Sequence, residues 1–191
     1  MFYICPKLDK MTPHRLYILQ AYYDGMTYSK DNLIDTYAAF NVLCSEIPFK
    51  IYPDAKDVVA KNWRGLHGAD AYIPAVNKIK DYDIEVDFLY SGTHANMRND
   101  LDSFAKYING MLGNSPQPAL SARLAIYDEY TQTGRKDVRA VGIEFKEYWD
   151  TPDFDTECIA AFKVKFHVYD PVTEVTPVYN QQGNLTDLTW T

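Results

Sequence analysis

The chain of 191 residues has the length of one ordinary domain with a core of its own. Its hydrophobic fraction of 47% and aromatic fraction of 15% exclude a largely disordered chain, because disordered segments are poor in aromatic and β-branched residues. Its formal net charge of −7, with no evident cluster of Lys and Arg, argues against a protein that grips duplex DNA through the phosphates.

The sequence shows no clear signal for targeting to a membrane or for metal binding. The N-terminal residues MFYICPKLDK lack the apolar run of a signal peptide, and no stretch reaches the roughly 18 apolar residues that a membrane span needs. Cys5, Cys44 and Cys158 form no CxxC pair and show no ligand spacing with the histidines. We therefore expect free thiols in a soluble protein made in a cytoplasm, with no membrane partner, metal or cofactor.

The first elements along the chain can be interpreted in two ways. Residues 14–28 carry apolar side chains on both the helical and the strand period, so helix and strand compete. The segment that follows could begin as a helix capped by Ser29 or Asp31, or run as a strand. A strand from Tyr37 onward is preferred.

Glycines mark turns and loops in this part of the chain. Asp24-Gly25 predicts a turn whichever element precedes it. Residues 47–74, rich in Pro, Gly and Lys, predict short strands and a long exposed loop around Trp63 to Ala71. Gly65 and Gly68 would allow positive φ in that loop.

The clearest strand is YDIEVDFLY, residues 82–90, which strict alternation predicts to be half-buried. The expected buried face consists of Tyr82, Ile84, Val86, Phe88 and Tyr90. The opposite face carries Asp83, Glu85 and Asp87 and should lie in water. Ser91-Gly92 ends the strand.

After this strand the apolar period becomes helical, which predicts a helix over residues 98–112. Its apolar stripe consists of Leu101, Phe104, Ile108, Met111 and Leu112. Thr93 or Asn96 would cap the helix start, and Gly113 lies where the helix would stop. The stripe should pack on a sheet.

Alternation returns in LSARLAIYDE, residues 120–129, and in KDVRAVGIEFKEYW, residues 136–149, which predict two further strands. A turn at Gly134 should join them. In the second strand Val141, Ile143 and Phe145 are in phase, while Val138 and Ala140 point the other way. Gly142 predicts a bulge or a close approach of backbone.

The last long strand is FKVKFHV with the residues just before it. Its predicted buried face consists of Cys158, Ala160, Phe162, Val164, Phe166 and Val168. Its polar face carries Lys163, Lys165 and His167. Asp170-Pro171 should end the strand, because proline cannot donate a ladder hydrogen bond.

The order strand, helix, strand, strand, strand with short links predicts a mainly β protein of the α+β class, with a mostly antiparallel sheet and one helix packed on it. We expect a single domain over residues 1–175 with an N-terminal extension. Residues 176–191 have little apolar content and are interpreted as a C-terminal polar arm that orders against a neighbouring subunit, with Trp190 as its anchor. Deleting this arm should then leave the fold intact.

Candidate catalytic groups are weak. The acidic groups Asp81 to Asp87 and Asp128-Glu129 could form the carboxylate pair of a glycoside hydrolase, but solvated charges on a wet strand face are the better interpretation. His67 and His94 stand beside glycines without a nucleophile motif. We therefore predict no catalytic, cofactor-binding or metal-binding residues, and no enzyme.

Binding surfaces are a stronger candidate than an active site. Lys163, Lys165 and His167 could belong to a nucleic-acid groove, but on an acidic chain a solvated strand face is preferred. Trp63, Trp149 and Trp190, with sixteen tyrosines, could form a sugar platform or a protein interface.

The order of these segments resembles a known family. YDIEVDFLYSG precedes the helix RNDLDSFAKYINGML, LAIYDEY and KDVRAVGIEF follow, and the last strand is FKVKFHVYDPVTEV, which ends on Asp170-Pro171. Over roughly residues 35–175 this pattern resembles the N-terminal, ring-forming domain of bacteriophage distal tail proteins and the related tail-tube and baseplate-hub fold. The segment IPFKIYPDAKDVVAKNWRGLHGADAY is similar to the loop that leads into the sheet of that family.

The resemblance implies a β-sandwich with one flanking helix that assembles as a hexameric ring around the tail channel, with other tail proteins as partners. It implies a structural protein of the virion tail, assembled in the host bacterial cytoplasm, through which DNA passes without specific binding. The chain lacks the carbohydrate-binding-like second domain of longer members, which favours a purely structural role. A tail-tube or tail-terminator ring is the alternative within the class, and a carbohydrate-binding β-sandwich is the alternative outside it.

Overall fold

The computed structural model describes residues 13–23, 28–64, 67, 69–71, 74–111, 123–150 and 158–190. Strands dominate, antiparallel pairing is general, and one long helix is present among the described residues, so the predicted β-rich α+β class is confirmed. The elements are β1 (Leu16–Tyr23), β2 (Tyr28–Lys30), β3 (Ile34–Asp35), α1 (Thr36–Phe40), β4 (Val42–Glu46), β5 (Ala60–Lys61), β6 (Asp70–Ala71), β7 (Tyr82–Gly92), α2 (His94–Ile108), β8 (Leu124–Asp128), β9 (Thr133–Asp150), β10 (Cys158–Val168), β11 (Val175–Tyr179) and β12 (Leu185–Trp190).

One large antiparallel sheet organises the chain. Its strands follow the order β2-β1-β8-β9-β10-β7-β4, with β3 also on β1. The sheet curls until β1 and β4 come together: His14, just before β1, donates to Cys44 O at 2.8 Å and accepts from Cys44 N at 2.9 Å. The two halves of the curled sheet therefore enclose one core between them, in the manner of a sandwich.

The centre of the core comes from β7 and β10, whose registers place apolar side chains opposite each other. Phe88 pairs with Phe162 and their rings stack at 5.4 Å. All the side chains predicted for the buried faces of these two strands are at most 7% exposed. Because strict alternation puts every second side chain on the same face, the pattern alone identified this part of the core.

The helix α2 begins and ends earlier than predicted. It starts at His94, with Thr93 at the N-cap position but without a side-chain capping bond. It ends at Ile108, and Gly110 follows with a φ of 72°. The expected stop at Gly113 was wrong, because Gly110 already takes the left-handed conformation that terminates a helix.

The buried face of α2 also differs from the prediction. Phe104 and Ile108 are buried as expected, and Leu101 is partly buried. Met111, 66% exposed, lies beyond the helix and does not pack on the sheet. Tyr107 takes its place in the core: its carbonyl accepts a 2.6 Å hydrogen bond from the buried amide of Gln20, which ties the end of α2 to β1.

Near the N-terminus, the choice between helix and strand is resolved differently at two places. Residues 16–23 form a strand, whereas the strand predicted from Tyr37 is wrong for residues 37–40, which belong to α1, and is confirmed only from Val42, where β4 begins. Asp35, not Ser29 or Asp31, caps the short α1 by accepting hydrogen bonds from the backbone N–H groups at positions 37 and 38. Asn41 then adopts a φ of 55°, and β4 begins one residue later. The predicted turn at Asp24-Gly25 lies outside the described residues.

The link between β8 and β9 does not use Gly134 as its turn. The turn occupies residues 129–132, and Gln132 takes the positive φ of 55°. Gly134 lies inside β9 instead, where an added Cβ would come within 2.8 Å of Ile126 O and 2.9 Å of Val175 Cβ. Glycine is needed there for close packing between two layers.

A bulge beside Gly142 changes the phase of β9. Phe166 of β10 pairs with Ala140, but the preceding residue, Lys165, pairs with Gly142, so Val141 is the extra residue. The predicted bulge is therefore present, while an added Cβ on Gly142 would meet nothing within 4 Å. Ala140 before the bulge and Ile143 after it both face the core side, and Val141 is 61% exposed.

The C-terminal segment is not the free polar arm that its composition predicted. β11 and β12 pair as a hairpin, called here the C-terminal hairpin (residues 175–190). It packs on the outer face of β1 and β8, where Leu188 is 0% and Val175 5% exposed against Leu19 and Tyr127. The prediction failed because few apolar residues suffice when alternation places them on the same face of a hairpin.

Candidate assembly surfaces

The polar face of β7 and β10 forms a ladder of opposite charges. Lys163 Nζ lies 2.5 Å from Glu85 Oε2, and Lys165 Nζ lies 3.4 Å from Asp83 Oδ2. His167 stands between two carboxylates, with Nδ1 2.6 Å from Asp83 and Nε2 3.0 Å from an Asp81 oxygen. Lys146 on β9 completes the ladder, with its Nζ 2.6 Å from Asp87 Oδ2.

Three lysines and His167 pair with the four carboxylates of this exposed ladder, so the acidic run on β7 is not a bare carboxylate cluster. The hydrogen bond from His167 lowers the pKa of Asp83, and the hydrogen bond from Lys163 lowers the pKa of Glu85. A general acid for glycoside hydrolysis would need the opposite shift. The ladder instead adds cross-strand pairs to the sheet, each of modest worth because water screens it.

A second polar cluster closes the sheet. Asp128, 0% exposed, lies 2.8 Å from His14 Nε2 and accepts hydrogen bonds from Tyr130 N, Thr131 N and Thr131 Oγ1. Burial alone would raise the pKa of Asp128, but the bonds from His14 and Thr131 outweigh it and lower the pKa. The cluster stands where β1, β4 and the turn after β8 meet. It stabilises the contact between His14, just before β1, and Cys44 of β4, which is called the seam of the sheet from here on.

The remaining sequence candidates for chemistry are dispersed. Cys44 lies in the same seam, but burial raises the pKa of its thiol well above the usual value, which keeps the sulfur neutral. His67 is exposed, and His94 stands exposed at the start of α2. Among the described residues, no group of three or more His, Cys, Asp or Glu is arranged to hold a metal ion.

An apolar groove opens between α2 and β9. Its volume is about 480 Å³. The lining residues are Met97, Arg98, Leu101, Asp102, Phe104, Ala105, Ile143, Phe145 and Phe162. Phe145 stands at its wall, 65% exposed, with its ring 6.4 Å from that of the core residue Phe162. The groove is therefore an opening through which solvent reaches the edge of the core.

The long segment between β4 and β7 forms an exposed two-stranded ribbon, defined here as the described residues between 50 and 80. Backbone bonds from Lys56 N to Lys78 O and from Lys80 N to Asp54 O join its two sides, and β5 pairs with β6 further out. Among its apolar side chains, Ile51 is 93% exposed. The other exposed large apolar side chains of the ribbon are Tyr52 at 75%, Val58 at 44%, Val59 at 80%, Trp63 at 49% and Val76 at 70%.

The predicted long exposed loop is thus partly ordered as a ribbon, and Gly65 and Gly68 lie outside the described residues. The ribbon also has a net positive charge, which the sequence analysis did not identify. It carries six Lys or Arg and three Asp, in a chain whose net charge is −7. Counting charge by segment, rather than looking for consecutive basic residues, would have found it.

Arg135 anchors the ribbon to the body. Its guanidinium is buried, at 4% exposure, and donates to Lys50 O at 3.1 Å and to Gly134 O at 2.9 Å. Within the described part of the chain no carboxylate lies within ion-pair distance of Arg135. Lys50 also places its ammonium 5.4 Å from the Tyr82 ring. These contacts fix where the ribbon leaves the sheet.

Trp63 and Trp190 do not share one surface. Trp63 lies on the ribbon, under the ammonium of Lys61 at 3.9 Å. Trp190 is half-buried in the C-terminal hairpin, where it packs on the outer face of the sheet, and the Lys30 ammonium lies 5.7 Å from its ring. Trp149 belongs to β9, and its side chain lies outside the described residues. The sequence interpretation of Trp190 as an anchor to a neighbour is corrected, because it packs on its own chain.

No protein-family model matches the sequence, and no curated protein matches it at a significant level. None of the described helices combines the length and the apolar content required to cross a membrane.

Proposed function

We propose that this protein is a structural component of a phage or prophage tail that assembles as a ring at the distal tail or baseplate hub. Two things support the proposal: the resemblance of the segment order to the ring-forming domain of that family, and a β-rich fold with one flanking helix of the kind that the resemblance implies.

The observation that carries the proposal is the amount of exposed apolar surface among the described residues. The ribbon exposes Ile51, Tyr52 and Val59, and the groove beside α2 exposes Phe145. Contiguous exposed apolar surface on a folded chain marks an interaction site. In a larger assembly, neighbouring subunits would cover such surfaces.

DNA would pass through the ring without specific binding. The chain is acidic overall, and like charges suppress binding driven by counterion release. A tail-tube or tail-terminator ring remains the alternative in the same class, because it shares the fold. The carbohydrate-binding alternative has less support, since Trp190 is occupied by packing and, of the tryptophan side chains that the structure describes, only Trp63 presents a ring on an exposed segment.

Negative-stain microscopy and light scattering on the concentrated protein test this proposal. Rings of about six subunits with a central channel are expected. A protein that forms only compact monomers, both alone and in the presence of partner tail proteins, would contradict the ring. Retention on a polysaccharide array at micromolar affinity would favour the carbohydrate-binding alternative.

A further inference from the structure

We infer that the ribbon of one subunit docks into the groove between α2 and β9 of a second copy of the same chain. This inference rests on the proposed ring, since it names the contact through which neighbouring subunits would join. It concerns two surfaces whose features match each other and which do not meet within the described part of one chain.

The ribbon exposes apolar side chains that a binding partner could cover. Residues 54–64 are all exposed, and the ribbon forms a two-stranded sheet separate from the main one. An isolated two-stranded ribbon is at best marginally stable in water. Val59 and Ile51, 80% and 93% exposed, place apolar side chains where the described parts of their own chain do not cover them.

The groove has the lining and the volume to bind apolar side chains. Seven of its nine lining residues are apolar, and its volume of about 480 Å³ exceeds what one side chain fills. Phe104 and Phe162 form its floor as members of the core, so the groove is held by the fold rather than by loops. None of the described ribbon residues contributes to the lining.

Charge favours a second copy as the occupant. The ribbon is net positive, with six basic and three acidic residues, while the whole chain is net negative at −7. The rest of the chain is therefore net negative and attracts the ribbon of a neighbour, while the groove lining itself carries one Arg and one Asp. Electrostatic complementarity of this kind directs encounter and orientation.

Ribbon and groove are different surfaces, so their contact is heterologous, head to tail. Each subunit then uses its ribbon on one neighbour and its groove on the other. Heterologous contacts close into rings when the rotation between subunits is suitable. This geometry makes a specific prediction about mixtures of variants.

The experiment uses Val59→Asp to disable the ribbon and Phe145→Asp to disable the groove. Both side chains are largely exposed, so the fold should survive, which circular dichroism verifies. Val172→Asp is the matched control, because Val172 is 65% exposed but belongs to neither surface. Each of the first two variants should weaken self-association at least about 30-fold by sedimentation, and the control should associate like the wild type.

Mixing the two disabled variants gives the decisive result. The intact ribbon of Phe145→Asp fits the intact groove of Val59→Asp, so a one-to-one complex should form and grow no further. Wild-type rings together with an unaffected Val59→Asp or Phe145→Asp variant would overturn the docking contact while leaving the ring proposal standing. A mixture that forms no heterodimer overturns the docking contact as well. A wild-type chain that stays monomeric up to about millimolar concentration overturns it too, and the ring proposal is then decided separately by microscopy of purified tails.

Discussion

Replacing Leu188 with Ala tests whether the C-terminal hairpin belongs to the folded domain. Leu188 is 0% exposed and packs with Leu19 and Tyr127 of the main sheet. The hairpin is further held by Lys30, whose ammonium lies 2.5 Å from Asp187 and donates to Leu188 O at 3.0 Å. If the hairpin were a polar arm, the substitution would leave stability unchanged.

The expected loss follows from the burial of this side chain. Leu-to-Ala changes at fully buried sites cost about 2–5 kcal/mol, and the cost falls where neighbours can close the cavity. The hairpin covers the sheet as an outer layer and can move toward it, so a value of about 2–3 kcal/mol is expected for Leu188→Ala. In a domain of this size that lowers the melting temperature by about 4–12 °C.

Thermal and urea unfolding measure this change, with Gln181→Ala in the exposed turn of the hairpin as the control. The control should unfold like the wild type. A shift of about 1 °C is well below that expected for a buried leucine. A Leu188→Ala variant with a melting temperature so close to that of the wild type would therefore refute the assigned packing. Deleting residues 176–191 should be more severe, because it uncovers the outer face of β1 and β8; a truncated chain with unchanged stability would contradict the same assignment.

Three further substitutions address the core, the layer contact and the seam. Phe166→Ala removes a side chain that is 0% exposed and should cost about 3–5 kcal/mol in urea unfolding; an unchanged midpoint would contradict its place in the core. Gly134→Ala should cost about 1–3 kcal/mol, because its Cβ would lie 2.9 Å from Val175 Cβ; a neutral effect on melting would show that the two layers can separate freely. The pKa of Asp128 is lowered in the folded state, so its contribution is present above the unfolded pKa of about 3.9 and is lost as pH falls through the folded value. The stability difference between wild type and Asp128→Asn, measured by urea unfolding from pH 7 to 3, should therefore shrink below about pH 4; a constant difference would contradict the contact with His14.

The two proposed assembly surfaces differ in how they relate to the core. The groove lies at the edge of the core, so a neighbour's side chains that fill it would extend the apolar surface already buried in the core. The ribbon has no core of its own and depends on its anchor at Arg135 for position. Loss of that anchor should affect assembly more than the main sheet, because the bond to Lys50 O is the contact that joins the ribbon to the buried guanidinium.

Local periodicity determined the parts of this protein whose burial depends on one segment alone. The alternation in β7 and β10 identified their buried faces residue by residue, because a strand that meets a core must present the same face along its length. The helical stripe with Phe104 and Ile108 identified α2 for the same reason. The amphipathic patterns, and with them the β-rich α+β class, were readable from the sequence.

The tertiary structure decided everything that depends on which segments meet. The seam between His14 and Cys44, the pairing of Lys163 with Glu85, and the packing of Leu188 join residues that are far apart in the chain. A one-residue bulge at Val141 and a left-handed Gly110 changed faces and ends that local patterns had placed elsewhere. Such contacts are set by register and by closure of the sheet, which are properties of paired strands, so no single segment of the sequence carries the information.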